Sequence, residues 1–75
     1  MPSVDEMYDE AIALQQQGDL PGALSKLQEI IQIDPNYALA YAALSVFYSK
    51  MEEHEKAVEN ARKVCELEPE DPFSF

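Results

Sequence analysis

The chain has 75 residues, enough for one small domain, and its 47% hydrophobic and 27% charged residues are typical of a folded chain rather than a disordered one. Its 15 acidic residues outnumber its 5 basic residues and give a net charge of -10, which disfavours nucleic acids and anionic membranes as partners.

The first two predicted helices cover residues 4–17 and 20–33. Ser3 and Glu6 have the spacing of a capping box, which starts a helix. Between the helices, Gly18 suits the left-handed residue that ends a helix, and Asp19 can cap the helix that follows. Pro21 is tolerated in a first helical turn. These signals predict a helix, a short turn and a second helix.

The next two predicted helices cover residues 37–50 and 54–67. Tyr41, Leu44 and Tyr48 are spaced so that they share one helical face. Apolar residues then recur at steps of three and four in the last helix, which predicts a buried stripe. The sequence therefore predicts an all-α protein.

The second half of the chain repeats the first half at a fixed spacing, which we call one repeat length. Ala57 follows Ala23 by this spacing, and Pro69 follows Pro35 by the same interval. When the two halves are aligned at this spacing, apolar residues between these pairs align with apolar residues and acidic residues with acidic residues. A fixed period of a few tens of residues is the signature of a stacked repeat protein.

This pattern resembles the tetratricopeptide repeat, whose period of about 34 residues equals the repeat length found here. The second copy carries the family positions Tyr41, Leu44, Ser45, Tyr48, Ala57 and Pro69. The first copy carries Met7, Ala11, Leu14, Gly18, Ala23, Leu27, Ile30 and Pro35. The resemblance implies a short α-solenoid of antiparallel helix-turn-helix repeats.

Two departures from the family pattern carry expectations of their own. Glu10 stands where leucine is preferred, so the outermost helix should be partly solvated there. Ala61 stands where a large aromatic residue is usual, and Phe47 where alanine is common. We expect Phe47 to contact Ala61 and supply the missing volume.

The domain is predicted to be single, over residues 1–75, with repeat one at 4–37 and repeat two at 38–71. Residues 72–75 are then either the start of a third repeat or a short apolar lid formed by Phe73 and Phe75. We expect the C-terminal packing end, Val64, Cys65, Leu67, Phe73 and Phe75, to be covered by another polypeptide.

Catalysis, cofactors and metals are not expected. His54 is the one histidine and Cys65 the one cysteine, and nothing near them resembles a nucleophile motif. We expect His54 to pack between helices and Cys65 to lie on the buried stripe of the last helix. An unpaired cysteine and the absence of a leader or membrane-spanning segment favour a cytoplasmic location.

The resemblance implies that the first helix of each repeat lines a concave groove. Its positions here are Asp5, Tyr8, Ile12, Gln15, Leu39, Ala42, Val46 and Ser49. None is lysine, arginine or asparagine, so the family's carboxylate-binding arrangement is not expected. Tyr8, Ile12 and Val46 should lie on one accessible surface.

The resemblance and this apolar groove favour an adaptor or scaffold that binds another polypeptide through the first helices. The alternative is a self-assembling module in which the groove and the C-terminal end pack against other copies. The acidic charge also has two interpretations, attraction to a basic partner or a solvated surface, and composition alone favours the second.

Overall fold

Four helices form two consecutive hairpins in the computed structural model, which describes residues 3–68. The helices are α1 (Val4–Gln16), α2 (Leu20–Ile33), α3 (Ala38–Lys50) and α4 (His54–Leu67). The all-helical prediction is confirmed, and only the end of α1 and the start of α3 differ from it, by one residue each. Helix α1 packs on α2, α2 on α3, and α3 on α4.

Capping side chains explain where the first hairpin's helices begin. The Glu6 N–H donates to Ser3 Oγ at 3.2 Å, at the start of α1. The Gly22 N–H donates to Asp19 Oδ1 at 3.0 Å, at the start of α2. Both caps were predicted, and each satisfies a backbone donor that the first helical turn leaves free.

The two hairpin turns adopt the same backbone conformation at equivalent positions of the two repeats. Gly18 has φ of 89° and Glu52 has φ of 64°, so both turns use a left-handed residue. After this residue, the Asp19 N–H donates to the Leu14 carbonyl at 2.8 Å. The equivalent Glu53 N–H donates to the Tyr48 carbonyl at 2.9 Å. Glycine adopts this conformation freely, whereas a residue with a Cβ atom is strained.

The core lies mainly between α1, α2 and α3. Leu27 and Ile30 are the largest side chains with no exposed surface, and each contributes about 1.5–3 kcal/mol through burial. Small residues let the helices approach closely. The remaining buried residues are Met7, Ala11, Ala23, Leu24, Ala40, Ala43, Leu44, Phe47, Tyr48 and Ala57.

Side-chain hydrogen bonds connect neighbouring helices at the family positions. Ser45, at the small-residue position of α3, donates from Oγ to the Ala57 carbonyl of α4 at 2.9 Å. Gln28 of α2 donates from Nε2 to the Tyr48 hydroxyl of α3 at 3.1 Å. Within the described residues, no buried side-chain nitrogen or oxygen lacks a partner. Side-chain hydrogen bonds therefore add to the apolar contacts that join α2, α3 and α4.

The expected contact between Phe47 and Ala61 stays a prediction, and the two residues differ in burial. Phe47 is buried and lines a hollow together with residues of α1. Ala61 is exposed on α4. The space that an aromatic residue would occupy at position 61 is therefore open to solvent, because no described helix packs on that side of α4.

The strained turn gives a test of the repeated backbone geometry. Glu52→Gly should raise the free energy of unfolding by about 0.5–1 kcal/mol, because glycine removes the Cβ strain at positive φ. Urea unfolding measures the change. Glu52→Gln is the matched control, since it removes the same charge and keeps the strain. Equal stabilities for the two variants would show that φ at position 52 costs nothing.

Candidate functional site

A hollow opens between α1 and α3 at matching positions of the two repeats. Tyr8 and Ile12 of α1 lie beside Ala42 and Val46 of α3, and the members of each pair are separated by one repeat length. The two helices therefore run parallel, in register. Ala43 and Phe47 complete the lining, and we call this set of six residues the α1/α3 hollow.

The α1/α3 hollow is small, open and mostly apolar. Its volume is 250 Å³, below the range of about 300–1,000 Å³ typical of small-molecule sites. Val46 is 52% exposed, and Leu39, one turn before Ala42 and Ala43, is 53% exposed. A space of this size and character suits one or two apolar side chains of another chain better than a metabolite.

The predicted groove residues all lie on accessible surface, but only some of them meet. Tyr8 and Ile12 are half-buried against the core, as is Ala42, whereas Val46 is exposed. These four belong to the lining of the α1/α3 hollow. Outside its lining lie the exposed Asp5, Leu39 and Ser49 and the half-buried Gln15. Sequence reasoning missed Ala43 and Phe47, whose burial against α1 depends on how the two hairpins meet.

Tyr37 ties the start of α3 to the start of α1. Its hydroxyl donates to Asp5 Oδ1 at 2.6 Å, and its ring centroid lies 6.2 Å from that of Tyr8. Burial of the phenol and its hydrogen bond to Asp5 raise the pKa of Tyr37 from 10.0 to about 12, and Asp9 adds to the effect. The residue one repeat length before Tyr37 is Ser3, so nothing in the repeat pattern marked Tyr37.

The outer surface of α1 is acidic. Glu10, the predicted departure from leucine, is exposed and pairs with Lys26 Nζ of α2 at 3.1 Å. That hydrogen bond raises the pKa of Lys26. The expectation of a partly solvated position is thus met at Glu10, where an ion pair lies at the surface of the α1–α2 hairpin.

Helix α4 carries a second accessible apolar surface. Val58 is 54% exposed, and Ala61 and Cys65 on the same helical stripe are exposed too. We call these three residues the outer face of α4. Their equivalents in repeat one are Leu24, Leu27 and Ile31, of which Leu24 is 8% and Leu27 0% exposed. Helix α2, which carries them, packs on both α1 and α3, whereas α4 packs on α3.

The predicted C-terminal packing end only partly coincides with the outer face of α4. Cys65 is exposed rather than buried, so that expectation is wrong, whereas Val64 and Leu67 are half-buried. Phe73 and Phe75 lie outside the described residues. Val58 and Ala61 were missed, although moving Leu24 and Leu27 along the chain by one repeat length would have identified them.

His54 does not pack between helices as expected. It is exposed at the first position of α4, next to the turn. Eleven residues of the same helix separate it from Cys65, or about 16 Å, which is too far for a nucleophile and its base. Within residues 3–68, no three potential ligands are grouped to hold a metal ion.

A helix must be long and apolar to cross a lipid bilayer. None of the helices within residues 3–68 combines the length and the apolar character that crossing a membrane requires.

The Tyr37 hydrogen bond predicts a specific pH dependence. Tyr37→Phe should lower the free energy of unfolding at neutral pH by about 0.5–1 kcal/mol. A raised folded-state pKa means that the contribution is complete below pH 10 and disappears as pH rises through about 12. Urea unfolding of the wild-type chain and of Tyr37→Phe across this range should show that their free energies of unfolding converge.

Tyr41→Phe is the control, since the Tyr41 hydroxyl donates to the neutral Pro35 carbonyl. A difference that stays constant to pH 12 would contradict the assignment.

Comparison with known proteins agrees with this architecture. A family model described as "Tetratricopeptide repeat" matches residues 14–72, more than half of the chain. A protein described as "Protein CTR9 homolog", from Arabidopsis thaliana, is 29% identical over 58 residues. The match covers 77% of this chain and 5% of that relative, so the chain spans a small part of the relative's length. The matched repeat and the paired hairpins together show that the chain belongs to the tetratricopeptide repeat family.

Proposed function

We propose that the chain is an adaptor or scaffold that binds a segment of another polypeptide in the α1/α3 hollow. Tetratricopeptide repeats are protein–protein interaction modules and are typically non-catalytic. The observation that carries the proposal is the exposed apolar surface formed by Val46 and Leu39 beside the half-buried Tyr8 and Ile12.

The energetics support a side chain of a partner as the occupant. Val46 and Leu39 are each more than half exposed, and completing the burial of one such side chain contributes up to about 1.5 kcal/mol. The half-buried rings and aliphatic groups of Tyr8 and Ile12 add apolar contact. A bound segment would therefore gain most from large apolar side chains inserted at the hollow, with its backbone along α1 and α3.

A pair of matched substitutions tests this site. Val46→Asp places a charge in the hollow, whereas Val58→Asp places the same charge on α4 at almost the same exposure, 52% against 54%. Peptides are first selected from a random phage-displayed library on the immobilised wild-type chain. Their binding, measured by fluorescence anisotropy, should weaken at least about tenfold with Val46→Asp, or ~1.4 kcal/mol, and stay within about twofold with Val58→Asp.

Circular dichroism should confirm that both variants remain helical, since both positions are exposed. The proposal fails if the library yields no binding peptide, or if the selected peptides bind both variants equally well. It also fails if Val58→Asp is the more damaging change.

A second candidate function, self-assembly, is favoured by the outer face of α4. The same stripe in α2 contains the buried Leu24 and Leu27, whereas Val58, Ala61 and Cys65 are exposed. Under this proposal two copies meet through these faces, with Val64 and Leu67 at the margin. The predicted third-repeat start, with Phe73 and Phe75, would extend the same contact.

Self-assembly predicts that stability depends on protein concentration. Over a hundredfold range the thermal midpoint should rise, because association stabilises the folded state. Reaction of Cys65, the one cysteine of the chain, with a thiol reagent should slow in parallel. Val58→Asp should abolish both effects and Val46→Asp should not. A constant midpoint, together with a monomeric mass by light scattering, would refute self-assembly and leave peptide binding unaffected.

The net charge and the one cysteine of the chain bear on its partners and its location. A net charge of -10 argues against nucleic acids and anionic membranes as partners. An exposed, unpaired Cys65 is compatible with a reducing compartment, so the proposal places the chain in the cytoplasm.

A further inference from the structure

We propose that the segment bound in the α1/α3 hollow is basic as well as apolar, with a lysine or arginine beside the inserted apolar side chain. This inference rests on the proposed peptide-binding function and adds the chemistry of the partner. The distribution of charge around the hollow, rather than the net charge of the chain, leads to it.

Carboxylates border the hollow on the α1 side. Asp5 and Asp9 are one helical turn apart on α1, next to Tyr8 and Ile12, and both are exposed. Helix α1 contains four acidic residues and no basic residue. Within residues 3–68 the ion pair of α1 is the one between Glu10 and Lys26, and it includes neither Asp5 nor Asp9. A cation brought by a partner could therefore pair with Asp9 and with the carboxylate oxygen of Asp5 that does not accept from the Tyr37 hydroxyl.

Aromatic rings add to the attraction at the same end. Tyr8 and Tyr37 lie with centroids 6.2 Å apart, and the Tyr37 hydroxyl is bonded to Asp5. A lysine or arginine near Asp5 would lie close to these rings, where cation–π attraction contributes further. The same chain already uses this contact elsewhere, with Lys56 Nζ 5.4 Å from the centroid of the Tyr48 ring.

The helix dipoles oppose this attraction but are weaker. Helices α1 and α3 both begin near Asp5 and Tyr37, and each N-terminus carries about half a positive charge. Asp5, Glu6 and Asp9 each bring a full negative charge to that region. The field at this end is therefore negative. The first basic residue of α3 is Lys50, in its last turn, so a bound segment should place its cation towards the helix N-termini.

A second copy of this chain fits the hollow poorly. Two copies would each bring a net charge of -10 to the contact. Of the three basic residues on α4, Lys56 pairs with Glu53 and Lys63 lies over the Tyr41 ring at 5.9 Å, so this helix has only Arg62 left to offer to another copy. The favoured occupant is therefore a basic segment of a different polypeptide.

Two measurements test the inference on the full chain. Peptides selected from the random library that lose binding to Val46→Asp are sequenced, and they should be enriched in lysine or arginine next to a large apolar residue. Their affinity for the double variant Asp5→Asn, Asp9→Asn should fall about tenfold at low salt, since each exposed carboxylate contributes up to about fivefold, and added salt should reduce the difference.

The control is Glu59→Gln with Glu66→Gln, two exposed acids on α4, which removes the same total charge and should change affinity less than about twofold. If the Val46-dependent peptides are neutral or acidic, the hollow binds peptides but the inference is wrong. Equal loss in the control variant would also overturn it, because the attraction would then be unspecific. If no Val46-dependent peptide is found, the proposed function and the inference both fall.

Discussion

The coverage of α2 by α3 is the contact on which the rest of the structure depends. Leu27 and Ile30 have no exposed surface because α1 lies on one side of α2 and α3 on the other. This burial joins the two hairpins. Without it each hairpin would keep one apolar stripe in water, and a pair of helices alone is too small to bury a core. The hollow between α1 and α3 exists only because α2 holds these two helices side by side.

The fold could be predicted because local and long-range signals agree. Ser3, Gly18 and Asp19 mark helix ends through backbone chemistry that acts within a few residues. The constant repeat length then predicts how the helices stack, since equivalent residues of the two repeats occupy equivalent positions in the packing. Glu52 shows how strong this constraint is, because it adopts the left-handed turn geometry of Gly18 in spite of its Cβ atom.

The site could be predicted only in part, because it depends on where packing stops. Tyr8, Ile12 and Val46 follow from helical spacing, which assigns each residue to a face. The hydrogen bond between Tyr37 and Asp5 joins the residue before α3 to the first turn of α1, and no periodic signal reports such a contact. Cys65 was expected to be buried because it lies on the apolar stripe of the last helix. Periodicity identifies the stripe but not whether something covers it.

The two outer helices of the described four-helix stack, α1 and α4, differ in the chemistry of their exposed surfaces. Ala40 and Ala43 of α3 are buried, whereas the equivalent positions of α1 are the exposed Glu6 and Asp9. Head-to-tail growth into a filament would have to desolvate these carboxylates against the apolar outer face of α4, without enough cations to compensate. A twofold contact between two α4 faces uses both surfaces at once and leaves none for a third copy. The acidic surface of α1 therefore disfavours a head-to-tail contact with the outer face of α4.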